Sequence, residues 1–257
     1  MITIIPKQDQ AHGAFDGGAI LEKKPIGFPQ DGGGQKPYST LFYWAHAWSD
    51  RGGLIGEHPH KGFEIMSFVL AGEIEHYDSK LKGWKKLKEG DVQIIRAGNG
   101  ITHAEKINAN SAIFQIWFDP NLNETLSKPA SYDDYTGASF PVFEDKESRT
   151  KVMVGGPDGY RGQLQMDSKV DYIQEITFYV SEKEFTLKQD SVYSFFVLDG
   201  ALMLNDKKMS KGDYAVVKQE TEMSLSSIEK NSRIFIIKTP VNPGFETYAM
   251  MSGLSKN

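Results

Sequence analysis

The chain has 257 residues, a net charge of −5, 39% hydrophobic and 25% charged residues, and no cysteine. That is the balance of an ordinary globular protein, long enough for one large β domain or two smaller ones. The acidic charge gives no electrostatic reason to bind nucleic acid or an anionic membrane. Without cysteine there are no disulfides, thiolate ligands or cysteine nucleophile, so any metal must be held by nitrogen and oxygen.

Along the chain, the N-terminus (Met1-Ile-Thr-Ile-Ile-Pro6) has neither a basic segment nor a long apolar core, and it does not read as a secretory signal. No run approaches the roughly 20 apolar residues of a membrane helix. A cytoplasmic protein is expected. His12 falls in a stretch without clear pattern. Alternating apolar runs then read as strands at 41–48, 63–70, 91–95 and 112–118, and again at 151–154, 175–180, 192–198, 214–217 and 233–238. Breaks fall at glycine-rich turns such as 31–34, 51–53, 98–100 and 155–159. The last of these lacks the Lys-Ser/Thr of a phosphate loop and reads as a turn. No long amphipathic helix is expected; any helix is short, with 122–126 the best candidate. The lysines between Lys80 and Lys88 read as a solvated hairpin edge, and the Ser-Lys-Asn end as a tail.

An internal repeat is visible. Phe68-Val-Leu-Ala-Gly72 matches Phe196-Val-Leu-Asp-Gly200, and Glu89-Gly-Asp-Val92 follows the first as Lys211-Gly-Asp-Tyr214 follows the second. Two copies of one β unit imply a duplicated sandwich or barrel. The boundary is expected in the polar stretch between Asp119 and Lys151, giving a metal-binding domain at 1–125 and a second domain at 126–257 without a site.

The chemistry lies in the first copy. His58-Pro59-His60 is followed by His103-Ala104-Glu105. On a strand, residues two apart share a face, so each pair can aim both side chains at one point. Three imidazoles and a carboxylate suit a mononuclear centre with open positions, iron(II) first, with copper, nickel, manganese or zinc also compatible. Aligned on the repeat, His58 and His60 fall on Thr186 and Lys188, while His103 and Glu105 fall on Leu225 and Ser227. The histidines are therefore not scaffolding shared by both copies. Glu105 is also placed to take a proton from an acidic substrate hydroxyl. Glu64 has the parity of His58 and His60 and reads as an acceptor behind an imidazole, or as the coordinating carboxylate in place of Glu105. Gln115 could hydrogen-bond a ligand or substrate. Met66 and Phe68 have the parity to line an apolar pocket above the metal, and Trp117 reads as core. His46 reads as a core imidazole and His76, among Glu75, Tyr77 and Asp78, as a turn residue.

Four segments together resemble the signature of the pirin family: His58-Pro-His-Lys-Gly-Phe-Glu64, Gly72-Glu-Ile-Glu-His-Tyr-Asp-Ser79, Gly90-Asp-Val-Gln93 and Ala97-Gly-Asn-Gly-Ile-Thr-His-Ala-Glu105. The match is dense from about Gly52 to Trp117 and thin beyond. The resemblance implies an all-β bicupin of two face-to-face antiparallel barrels (double-stranded β-helices) with few short helices. It also implies a metal, usually iron, on His58, His60, His103 and Glu105. The implied activity is that of a quercetin 2,3-dioxygenase, in which a nearby carboxylate deprotonates the flavonol 3-hydroxyl and dioxygen opens the heterocyclic ring with loss of carbon monoxide. Two departures bear on the carboxylate. Arg96 stands where cupins often have proline, and Glu64 matches a ligand of many other cupins, which leaves Glu105 and Glu64 both open as the coordinating group. The expected partners are a small aromatic substrate and O2. The alternative is a metal- or redox-sensing regulator that binds a protein partner without turnover. A third reading, another cupin metalloenzyme such as an isomerase, would predict charged sugar- or phosphate-binding residues on the ligand-side strands, whereas the neighbours here are mostly apolar.

Overall fold

The computed structural model describes residues 1–32, 34–156, 161–179 and 182–255. The turn expected at 155–159 therefore lies outside the described residues at 157–159, as does the end of the tail at 256–257. Among the described residues all nine strands expected from the alternating runs are present, the last residue of that expected at 175–180 lying outside them, together with four-residue helices at Leu122–Thr125 and Tyr248–Met251. The chain divides into two compact units. One comprises Gln10–Ser139, Met166–Ser168 and Phe245–Asn257, and the other Met1–Asp9, Phe140–Gln165 and Lys169–Gly244.

Each unit has the same plan, an antiparallel seven-stranded sheet and a four-stranded sheet. In the first unit the seven-stranded sheet runs, in spatial order, Ser131–Tyr135, Val92–Arg96, Glu64–Ala71, Ser111–Phe118, Leu41–Ser49, Ile20–Ile26 and Ala11–Phe15. Its four-stranded sheet runs Gly53–His60, Ile101–Ile107, Glu73–Asp78 and Trp84–Lys88. The architecture is all-β of the cupin type, but the expected closed barrels are sandwiches of separate sheets, with edge strands left over. Those edges are managed locally. Pro59, which has no N–H to donate, sits in the edge strand Gly53–His60, and the lysine-rich strand Trp84–Lys88 forms the opposite edge.

The repeat seen in the sequence is a structural repeat. Gly72 and Gly200 both turn the chain at φ 70°. A Cβ on Gly72 would lie 2.2 Å from Ser111 Oγ, and one on Gly200 would lie 2.4 Å from Ser232 Oγ. Each serine hydroxyl accepts the backbone N–H that follows its glycine, Glu73 at 3.0 Å and Ala201 at 3.2 Å. The Val-Leu-x-Gly signature thus marks a left-handed turn that only glycine fits easily.

The two interiors differ. That of the second unit is packed with apolar side chains, including Leu202, Leu204, Met223, Leu225 and Phe195, all buried. In the first unit Ile55, Val69, Ile74, Ile107 and Ile113 form an apolar layer, and Ile65, Ile95, Ala97 and Ile101 a second apolar cluster. The unit also buries many polar groups, among them His60, Ser67, His76, Asp78, Gln93, His103 and Glu105. Burying so many polar groups is costly unless they are paired or hold an ion.

A candidate metal centre in the first unit

The strand Ile101–Ile107 occupies the middle of the site. It pairs His103 with His58 on one side and with Asp78 on the other, and it pairs Glu105 with His76. A bulge breaks the register with Gly53–His60 between His103 and Glu105, where Ile55 already opposes Glu105. That extra length matters for parity. Ile55 belongs to the apolar layer, and on an unbroken strand His58 and His60, three and five residues later, would point the other way. The bulge turns them back inward.

Three imidazole nitrogens meet as a result. His60 Nε2 lies 2.8 Å from His103 Nε2, which lies 3.0 Å from His58 Nε2. Two nitrogens each about 2.1 Å from one ion, and at right angles about it, stand about 3.0 Å apart. The donor set therefore fits a divalent transition metal. His58 Nδ1 donates to Gly56 O at 2.8 Å, which leaves the lone pair of its Nε2 facing the cluster. Burial, followed by the neighbouring imidazoles, holds the His60 pKa down to about 3 and that of His103 to about 2. Both rings are neutral at physiological pH, the form that ligates.

Glu105 is fully buried beside them. Its Oε1 accepts from Ser67 Oγ at 2.6 Å and its Oε2 accepts from Gln115 Nε2. Both donors project from the seven-stranded sheet, where Ser67 and Gln115 are direct neighbours. The donor atoms of His58, His60 and His103 lie within 4.8 Å of one another, as do those of His76, His103 and Glu105. His103 is common to both groups. Glu105 thus lies beside His103 and His76.

His76 was expected in a turn, but it lies in the strand Glu73–Asp78 with no exposed surface. Its Nε2 is 3.3 Å from Asp78 Oδ2, and Asp78 Oδ1 is fixed by the backbone N–H groups of Lys80 and Leu81 at 2.8 and 2.7 Å. The alternation of Ile74, His76 and Asp78 was the available signal. The polar neighbours Glu75 and Tyr77 obscured it.

Three expected pocket residues are not at the centre. Glu64, Met66 and Phe68 alternate with Ser67 on their strand and so occupy the opposite face of the sheet from the groups that hold Glu105. Parity counted from His60 fails because Lys61 and Gly62, the latter at φ 84°, end one strand before Glu64 begins the next. The Glu64 carboxylate accepts instead from the backbone N–H groups of Asp167 and Ser168, each at 2.7 Å. His46 and His12 lie in the strands Leu41–Ser49 and Ala11–Phe15, outside both groups of donor atoms.

The centre opens to solvent beside His60. An open recess of about 590 Å³ is lined there by Pro59, His60, Lys61, Ser79, Ile101 and Thr102, within the range of small-molecule sites. The Trp117 ring closes the other side of His60, with centroids 4.7 Å apart at 87°.

Comparison with known proteins bears on the fold and the family. A family model described as Pirin matches residues 40–118. A quercetin 2,3-dioxygenase of Escherichia coli is 25% identical over 190 residues, covering 72% of this chain and 76% of that protein. Pirin-like protein 2 of Arabidopsis thaliana is 36% identical over 111 residues, covering 42% and 33% of the two chains. Among solved structures, a bacterial pirin from E. coli in complex with nickel(II) superposes with a TM-score of 0.75 at 22% identity, over 93% of this chain and 99% of that one. A quercetin 2,3-dioxygenase from Acinetobacter baumannii gives a TM-score of 0.80 at 18% identity, over 95% and 80%.

Proposed function

We infer that this chain, a member of the pirin family, is a metal-dependent dioxygenase that opens the heterocyclic ring of a flavonol such as quercetin with O2. One observation carries the reading: His103 Nε2 stands 2.8 Å from His60 Nε2 and 3.0 Å from His58 Nε2, with the fully buried Glu105 carboxylate beside His103. In this reading His58, His60 and His103 hold the ion, and Glu105 either joins them or takes the proton of the substrate's hydroxyl. A bound divalent metal, iron(II) by preference with copper, nickel, manganese or zinc compatible, would act as the Lewis acid that acidifies the hydroxyl and would supply the electronic means of using O2. The protein does the rest. Ser67 and Gln115 hold both Glu105 oxygens, so the carboxylate needs no reorganisation when a proton arrives. The open recess beside His60, with Pro59 and Ile101 in its lining, is the proposed place for the aromatic substrate. Among the described residues no helix is long and apolar enough to cross a membrane, and a cytoplasmic location is part of the proposal.

The test is direct. The protein is loaded with iron(II), copper(II) or nickel(II), quercetin is added in air, and loss of the flavonol absorbance is followed together with carbon monoxide release. Turnover with at least one metal supports the enzyme. Absence of turnover with all of them, in protein that binds the metal, would replace it with a metal- or redox-sensing regulator of a protein partner.

A further inference from the structure

We propose that Trp117 is a positioning residue for the metal centre, fixing Glu105 through Gln115 and His60 through direct ring contact. The inference rests on the metal-centre reading above and concerns residues that carry no ligand atom themselves.

Trp117 and Gln115 are two apart on the strand Ser111–Phe118 and so share its inward face. The indole Nε1 donates to Gln115 Oε1 at 3.0 Å. An indole N–H can only donate, so this bond decides which end of the amide faces Trp117. The amide nitrogen must then point away, and it donates to Glu105 Oε2. With the amide reversed, its oxygen would face the carboxylate, acceptor against acceptor, and the indole N–H would face an NH2 group. Trp117 thereby polarises the amide so that one Glu105 oxygen always has a donor, while Ser67 Oγ independently secures the other at 2.6 Å.

The same ring meets His60 edge to face. His60 ends an edge strand, so its ring depends on side-chain contacts for its direction. Trp117 can provide that support because its own ring is held by Phe28 at 5.3 Å, Tyr43 at 5.1 Å and Phe63 at 5.7 Å. One residue of the seven-stranded sheet thus orients two groups carried by two strands of the four-stranded sheet. A residue that merely filled the core would need neither the indole N–H nor the amide.

The experiment is a double-mutant cycle on nickel(II) affinity, measured by titration calorimetry. Trp117→Phe keeps an aromatic face against His60 and deletes the N–H, and Gln115→Leu deletes the donor to Glu105. Each is expected to weaken nickel(II) binding by about 10-fold or more, the scale for groups that orient metal ligands. In the double variant Trp117→Phe should add little to the loss from Gln115→Leu, because the N–H acts through the amide. Losses that multiply, or single variants that bind like wild type, overturn the proposal. If Trp117→Phe lowers the apoprotein melting temperature, benzothienylalanine at 117 keeps the bicyclic shape without the N–H and must show the same weakening; unchanged affinity there also overturns it. A wild-type chain that takes up no nickel(II) would instead overturn the metal-centre reading.

Discussion

Replacing His103 by leucine should make the metal-free protein more stable and the metal-loaded protein less so. His103 has no exposed surface, and its Nδ1 has no hydrogen-bond partner among the described residues. An unsatisfied buried polar atom costs about 1–3 kcal/mol. Removing the ring also forfeits its Nε2 contacts with His58 and His60, a loss of about 1 kcal/mol. The net gain for apoprotein is therefore about 1 kcal/mol, or roughly 2–4 °C in melting temperature for a domain of this size. Leucine fits the fold at this place in the repeat, since Leu225, the residue aligned with His103, is fully buried in an apolar core. Nickel(II) at about 100 times its dissociation constant should add about 2.7 kcal/mol to wild type and nothing comparable to the variant, so the order inverts. Calorimetric scans of chelator-dialysed protein, with and without nickel(II), measure both halves. A His103→Leu apoprotein that melts below wild type, or one that nickel(II) stabilises as strongly, would refute the reasoning.

Glu64→Gln should retain full metal content while lowering unfolding stability by about 1–3 kcal/mol, because the amide NH2 cannot accept and leaves one backbone N–H of 167–168 unpaired; loss of the metal would return Glu64 to the ligand set. Burial raises the Asp119 pKa from 3.8 to about 6, so the folded state binds that proton more tightly. The associated stability is full below about pH 4 and is lost as pH rises through 6, a change of about 3 kcal/mol; urea unfolding should show this decline in wild type and a flatter profile in Asp119→Asn, and identical profiles would contradict it. Gly72→Ala and Gly200→Ala should each cost at least about 1–2 kcal/mol from the left-handed backbone alone, with the serine contact adding to it; a neutral result at either glycine would show that the two turns are not equivalent.

The strands legible in the sequence are those of the seven-stranded sheets, where continuous apolar runs such as 41–48 and 192–198 stand out. The four-stranded sheets escaped that reading. Strands such as Trp84–Lys88 carry charge outward, and in the first unit Glu73–Asp78 and Ile101–Ile107 carry the polar groups of the site inward. The pairing of His58 with His60 and of His103 with Glu105 was legible because a period of two survives within one strand. Counting beyond a strand end failed at Glu64, Met66 and Phe68, since the turn at Lys61 and Gly62 resets the parity. The bulge opposite His103 and Glu105 has no sequence mark of its own. It depends on cross-strand register, which a single strand does not encode.

Two of the three converging nitrogens ride on Gly53–His60, which is laddered to a neighbour on one side only. Such a strand can peel away at a small fraction of the free energy needed to melt the whole unit. Uptake and escape of an ion would then be governed by the breathing of a single ribbon, and a bound ion would act as the rivet that pins it. Slowed amide exchange confined to that ribbon, with the remainder unchanged, would be its signature.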